Sequence, residues 1–317
     1  MSRRGPSSLA AMALLAACDR APPIPAPAPV AVALSSSVAS VDAPPTRSPE
    51  VLPERPAYVE TAAARALLDG ALGEVRATDQ DPYVHATIAG VPVLLALATR
   101  DGPQRWRIPV AAYRLSRLLA ADVVPVTVAR AFPLTELFAA ADLPSRSRLR
   151  ETLSVRPDGR VPAAVVMAPP ATTTREAVFS NERARWERLA EADAVSGESA
   201  AVESFVAMLV LDYVAGNLFR RNVEEDSTGE IWLVDNRGMF AEHPEALGVD
   251  RIFEKLKRVA RFPPRLREGL ARLDEEALVA VMEAGSYESW LVQRRPIREM
   301  VVRARAARSV AEAGKRP

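Results

Sequence analysis

Apolar residues fall into two regimes along this chain, short strand-like runs in the first half and longer helical patterns in the second. Tyr83 to Ala89 and Val91 to Ala98 are apolar-rich runs parted by Gly90, which predicts a β-hairpin turning at the glycine. Val161 to Met167 is a further run of strand length, and a helical lead-in is expected from Ala62 to Leu72. In the second half, Arg175 to Ala190 reads as a charged helix with Trp186 and Leu189 on one side, and Val202 to Gly216 as an apolar helix. Ile231 to Val234 is a short apolar run that predicts a buried strand. Arg251 to Val259, Leu266 to Leu273 and Glu275 to Ala284 continue as helices.

The N-terminus follows neither pattern. Arg3 and Arg4 precede the apolar stretch Leu9 to Ala17, which ends in Leu15-Ala16-Ala17-Cys18, the layout of a bacterial lipoprotein signal peptide. Cys18 is the single cysteine, so an intramolecular disulfide and a cysteine-rich zinc site are excluded, and lipidation is its most economical use. A chance cysteine in an Ala-rich leader is the competing reading. Residues 19–56 are rich in Pro, Ala and Ser and lack the patterning of a packed core, so they predict an extended tether.

A net charge of +1 gives no electrostatic case for nucleic-acid binding. Beyond the leader no apolar run approaches the roughly 18 residues of a membrane span, since Phe205 to Val214 is short and contains Asp212. No internal repeat is visible. The two histidines, His85 and His243, are not at metal-ligand spacing. In the basic run Lys255-Lys257-Arg258-Arg261, Asp250 and Glu254 are the expected partners, which makes it a solvated face.

Two segments carry candidate chemistry. Leu211-Asp212-Tyr213-Val214-Ala215-Gly216-Asn217-Leu218-Phe219-Arg220-Arg221-Asn222 is followed by Ile231-Trp232-Leu233-Val234-Asp235-Asn236-Arg237-Gly238-Met239-Phe240. Taken alone, Gly216-Asn217 is an ordinary helix C-cap and Asp235 to Gly238 a turn after a strand. Upstream lie Ile108-Pro109-Val110-Ala111-Ala112-Tyr113-Arg114-Leu115-Ser116-Arg117-Leu118-Leu119 and then Asp122-Val123-Val124-Pro125-Val126-Thr127-Val128-Ala129-Arg130. In this order and spacing they resemble the atypical kinase group that includes the phosphoinositide 3- and 4-kinases, the HipA-type kinases and the secretory-pathway casein kinases of the Golgi.

That group has D-Y/F-x-x-G-N-x-D-R-H at the end of a helix, then D-N-G or D-N-A after a strand, with a Phe shortly beyond. Asp212, Gly216, Asn217 and Arg220 fall on the first pattern, and Asp235, Asn236 and Phe240 on the second. The upstream segment is similar to the group's E-V-A-A-Y-R-L-S-R-L-L helix and V-P-P-T-V strand, which implies a helix from Pro109 and a strand from Val123 to Ala129. The resemblance implies an α+β, bilobal protein-kinase-like fold. A small β-rich N-lobe at 57–168 and a mostly helical C-lobe at 169–317 would follow a signal peptide at 1–18 and the tether at 19–56.

Phosphoryl transfer asks the protein mainly to position groups and neutralise charge. One Asp orients the attacking hydroxyl, while an Asn and a second Asp hold the metal ions that bridge the phosphates. By resemblance, Asp235 and Asn222 are the candidate metal ligands. Phe219 occupies the place of the catalytic Asp, Pro109 that of the helix Glu, and the phosphate-binding Lys falls at about Ala96. The three lysines, Lys255, Lys257 and Lys315, all lie after the catalytic-like segment, so the N-lobe has none to offer. Arg100 or Arg107 could bring positive charge, but a guanidinium is a planar fork and does not replace an ammonium conservatively.

Val161 to Ala168 resembles the hinge that contacts adenine, with Met167 and Ala168 as the candidate nucleotide contacts. Pro169 and Pro170 remove two N–H donors there, whereas Ala168 keeps both of its backbone groups. Three core groups replaced together argue against transfer. The sequence therefore predicts a catalytically inactive, pseudokinase-type binding or regulatory module, lipid-anchored at the bacterial cell envelope, with the membrane and an unidentified protein as partners. In that reading Asp212, Asn217 and Arg220 hold the loop. The alternative is an unconventional kinase or nucleotide-using transferase that takes ATP and Mg²⁺ through Asp235 and Asn222.

Overall fold

The computed structural model describes residues 61–77, 83–169, 173–174, 179–192, 199–218, 220, 223–226, 229–241, 246–282 and 291–314. The leader, the tether, Cys18, Phe219, Asn222 and His243 lie outside the described residues.

The chain opens with α1 (Ala62–Asp69), whose Ala64 N–H is capped by Thr61 Oγ1 at 3.1 Å. The expected helix to Leu72 stops at Asp69, because the N–H of Gly70 closes the last turn on Ala66 O. Residues Leu72–Ala77 then form β1, antiparallel to β2 (Tyr83–Ile88). The hairpin of β2 with β3 (Val91–Leu97) is as predicted. Ala89 and Gly90 have φ of 50° and 78°, the two positive angles that a two-residue primed turn requires.

α2 (Arg107–Leu118) starts two residues before Pro109, which is buried in the first turn where its missing N–H costs nothing. The strand expected from Val123 begins later, as β4 (Thr127–Pro133). Pro125 cannot donate to a ladder, and the carbonyl of Val123 instead accepts the N–H of Leu233 at 2.8 Å, across to the second half of the chain. Two helices that periodicity did not mark, α3 (Leu134–Ala140) and α4 (Leu143–Thr152), precede β5 (Arg160–Met167).

These strands form one antiparallel sheet in the order β1-β2-β3-β5-β4. Side chains alternate between its faces. Val84, Ala86, Ile88, Val93, Leu95, Leu97, Val161, Ala163 and Val165 point to one core with Leu67, Leu137 and Leu149 from α1, α3 and α4. Tyr83, Ala96, Ala98 and Ala164 point the other way and belong to the large core shared with α2 and the helical half.

That half contains α5 (Phe179–Glu191), α6 (Ser199–Ala215), α7 (Ala246–Arg258), α8 (Pro264–Arg272), α9 (Glu275–Met282) and α10 (Arg294–Ala313). A small sheet joins β6 (Thr173–Thr174), which precedes α5, to β7 (Glu224–Glu225) and β8 (Ile231–Trp232), which lie between α6 and α7 in sequence. Of the strand predicted at Ile231 to Val234, only the first two residues pair in a ladder. Helix α6 is buried on every side from Phe205 to Ala215, as an apolar helix without an amphipathic face must be. α10 packs on it with Ile297, Met300, Val301, Ala304, Ala307 and Ala311, and Arg303 Nε donates to Val214 O at 2.9 Å. Gly269 lets α8 touch the backbone of Leu119 at the end of α2, where a Cβ would collide. The result is a bilobal α+β fold.

The basic run on α7 is paired, though not as expected. Lys257 bonds Glu254, but Lys255 and Arg258 reach across to Glu187 and Glu191 of α5. Burial alone would raise the Glu187 carboxyl, but bonds from Lys255 and Arg183 outweigh it and hold the group below the usual carboxylate range. A carboxyl depressed by folding stabilises fully above its unfolded pKa, about 4, and loses that effect as pH falls through the folded value. Partly exposed pairs are worth about 0.5–1 kcal/mol. Glu187→Gln should therefore lower Tm by about 2–3 °C near neutral pH, and melts taken down from about pH 5 to about pH 3 should show that difference shrinking.

Candidate functional site

The site is built where α6 ends. Gly216, at φ 70°, donates to Tyr213 O and Asn217 N–H donates to Asp212 O at 2.8 Å, the paired bonds of a Schellman cap. This cap folds the chain back so that the Asn217 amide donates to Asp212 Oδ1 at 2.9 Å. The helix stop and the site are therefore one device.

Arg220 follows and is 7% exposed. Its Nε and Nη2 donate to Asp212 Oδ2 and Oδ1 at 3.2 and 2.5 Å, while Nη1 donates to Asp235 O and to Asn236 Oδ1 at 2.5 and 3.0 Å. Asn236 in turn donates to Leu233 O at 2.8 Å. One guanidinium thus joins the end of α6 to the turn after β8. Phe240 N–H closes the far side on Ala215 O at 2.9 Å, with Phe240 at φ 61°. Gly238 is required by contact, since a Cβ there would collide with Asn217 Oδ1, which is buried and accepts no hydrogen bond from the described residues.

Five of the residues singled out in sequence, Asp212, Asn217, Arg220, Asp235 and Asn236, are brought together. Others are not part of this cluster. Arg100 faces the end of α4, where Nε and Nη2 donate to Leu153 O and Arg150 O at 3.3 and 3.4 Å. Arg107 lies over the Trp106 ring at 5.6 Å. Met167 and Ala168 end β5, and Ala168 does not keep both backbone groups for a ligand: its N–H donates to Pro92 O at 3.1 Å, as that of Met167 does to Val126 O at 2.9 Å.

Sequence reasoning missed Arg237. It donates from Nε and Nη2 to the two oxygens of Asp235 at 2.9 and 2.8 Å, and from its backbone N–H to Oδ1 at 3.2 Å. The signal was present, because Arg237 stands third in a D-N-G or D-N-A pattern. Burial would raise the Asp235 carboxyl, but the bonds from Arg237 and the charges of Arg237 and Arg220 outweigh it and hold the group below the usual carboxylate range. Above this pair lies Tyr83 of β2, opposite Ala96 in the ladder, with its ring 6.0 Å from the Arg237 guanidinium. Burial, and then the nearby Asp235 charge, push the Tyr83 phenol up.

The described groups singled out as ligand contacts are already engaged within the chain. Both oxygens of Asp235 are engaged by a cation of the chain itself. The N–H groups of Met167 and Ala168 are committed to backbone carbonyls, and Pro169 has none. Ala96, buried against Tyr83 and Ala164, offers no charge to a phosphate. Among the described residues no three His, Cys, Asp or Glu side chains gather as a metal site.

What the cluster does is hold charge in the core. Removing one partner of a buried pair leaves the other uncompensated, at a cost of about 3–5 kcal/mol. Arg220→Ala should lower Tm by about 10 °C and shift the urea midpoint accordingly, while Arg220→Ala combined with Asp212→Ala should cost less than the two single changes together.

No protein-family model and no curated protein matches the chain. Among solved structures it is similar to the Golgi casein kinase, whose crystal structure has Mn/ADP bound, at 14% identity and a TM-score of 0.59 over 80% of this chain and 75% of that one. It is similar also to hydra Fam20, solved with sugar, at 13% identity and a TM-score of 0.57 over 79% of this chain and 87% of that one. The fold of the described chain is thus kinase-like.

Proposed function

We propose that this chain is an envelope-anchored lipoprotein of kinase-like fold that does not transfer phosphate and acts as a binding or regulatory module. The observation that carries the reading is the sheet face above Asp235. Where a kinase presents a lysine, Tyr83, Ala96 and Ala164 form an apolar surface continuous with the main core. Positioning and charge neutralisation are most of what phosphoryl transfer needs, and this face supplies neither. Phe219 in place of the catalytic Asp, and Pro109 in place of the helix Glu, support the same conclusion. Anchoring rests on Leu15-Ala16-Ala17-Cys18 and the Pro-rich segment after it, which would display the domain at a distance from the bilayer.

A second reading keeps an ATP- and metal-dependent transferase. It is favoured by the intact scaffold of Asp212, Asn217, Arg220 and Asn236 that holds Asp235, and by the Mn/ADP bound to the Golgi casein kinase. In that case Asp235 and Asn222 would be the metal ligands.

Thermal-shift titration with ATP and Mg²⁺ separates the two. A ligand at about 100 times its Kd adds about 2.7 kcal/mol, or about 5–10 °C in Tm for a domain of this size. The inactive reading expects a shift of less than about 1 °C and no transfer of labelled phosphate to casein or to the chain itself. A metal-dependent rise that Asp235→Ala abolishes, together with measurable transfer, would establish the second reading instead. For the anchor, metabolic labelling with a fatty-acid probe should mark the wild type and not Cys18→Ser; equal labelling of both removes the lipoprotein assignment.

A further inference from the structure

We infer that Arg237 replaces the divalent cation at Asp235 and, through Tyr83, joins the two lobes without metal or nucleotide. The inference rests on the inactive reading and adds to it the means by which the seat is filled. Two parallel N–H donors on two carboxylate oxygens form the fork-on-fork arrangement that makes arginine–carboxylate pairs geometrically specific. The donor is only two residues from the acceptor, and the backbone N–H of Arg237 bonds the same carboxylate. Ring closure over so short a loop gives the guanidinium a high local concentration that no free ion matches.

A divalent ion faces the opposite situation. Mg²⁺ keeps several waters and is held by one or two carboxylates together with phosphates. Here it would have to approach Asp235 against the like charge of Arg237, with Arg220 also close enough to act on the same carboxylate. The side chain of Asp235 is 14% exposed and that of Arg237 46%, so the carboxylate is the more buried member of the pair.

The same guanidinium faces the Tyr83 ring at 6.0 Å, within reach of a cation–π attraction. Asp235 and Arg237 belong to the turn after β8, whereas Tyr83 belongs to β2 in the sheet. The contact therefore spans the lobes at the place where a kinase would bridge them with metal and phosphate. It depends on one side chain.

The test uses the full chain, Arg237→Ala, Arg237→Lys and the double variant Arg237→Ala/Asp235→Asn, with Mn²⁺ alone as probe. Mn²⁺ binding is read by the loss of the free-ion electron paramagnetic resonance signal, and lobe coupling by Tm without metal. Wild type should leave Mn²⁺ free. Arg237→Ala should melt about 3 °C lower and bind Mn²⁺ at least about tenfold more tightly than wild type, and the double variant should lose that binding. Arg237→Lys keeps a cation but loses the fork, so it guards against a folding defect and should fall between wild type and Arg237→Ala in both readouts. Equal Mn²⁺ affinity in wild type and Arg237→Ala overturns the inference, as does Mn²⁺ binding that survives in the double variant. Phosphate transfer by wild type would overturn the inactive reading as well, whereas equal Mn²⁺ affinity with no transfer overturns the inference alone.

Discussion

A buried guanidinium organises the centre of this protein. Arg220 has little access to water, and its charge is tolerable only because Asp212, Asn236 and the carbonyl of Asp235 surround it. Those partners come from the end of α6 and from the turn after β8, so satisfying one side chain fixes the mutual placement of both segments. Gly216 makes the arrangement reachable by reversing the chain, and Gly238 by leaving room for Asn217. The cluster cannot be dismantled piecemeal, because removing one partner would strand a charge in the core.

The sheet tells a complementary story. One of its faces serves a local core with α1, α3 and α4, whereas the other merges with the core of the helical half. By placing Tyr83, Ala96 and Ala164 on that second face, the chain gains apolar burial where the two cores meet.

How much of this could be read from sequence depended on whether the signal was local. The hairpin at Ala89-Gly90 and the cap at Gly216 were legible because turn chemistry is specified by the residues that make it. So was the cluster of Asp212, Asn217, Arg220, Asp235 and Asn236, through its order and spacing. The expected helix reaches Leu72, the first residue of β1, because Leu72 continues an Ala- and Leu-rich run, and only the Gly70 cap separates the two elements. α3 and α4 are short helices between strands, and the second half of α10 marks its buried side only with Ala304, Ala307 and Ala311, which scarcely signal a face. The late start of β4 reflects a long-range partner, Leu233, that no window around Val123 contains. Arg237 is legible only as a departure from the D-N-G or D-N-A pattern, because its bonds to Asp235 depend on the turn that the fold imposes.

The bond between Leu233 N–H and Val123 O has an evolutionary consequence. Main-chain amides and carbonyls are common to almost every residue type, so a seam sewn with them is blind to mutation of the side chains beside it. Side chains on either side can then change without parting these two segments of the molecule. An architecture stitched in this way tolerates substitutions that a seam of ion pairs would not.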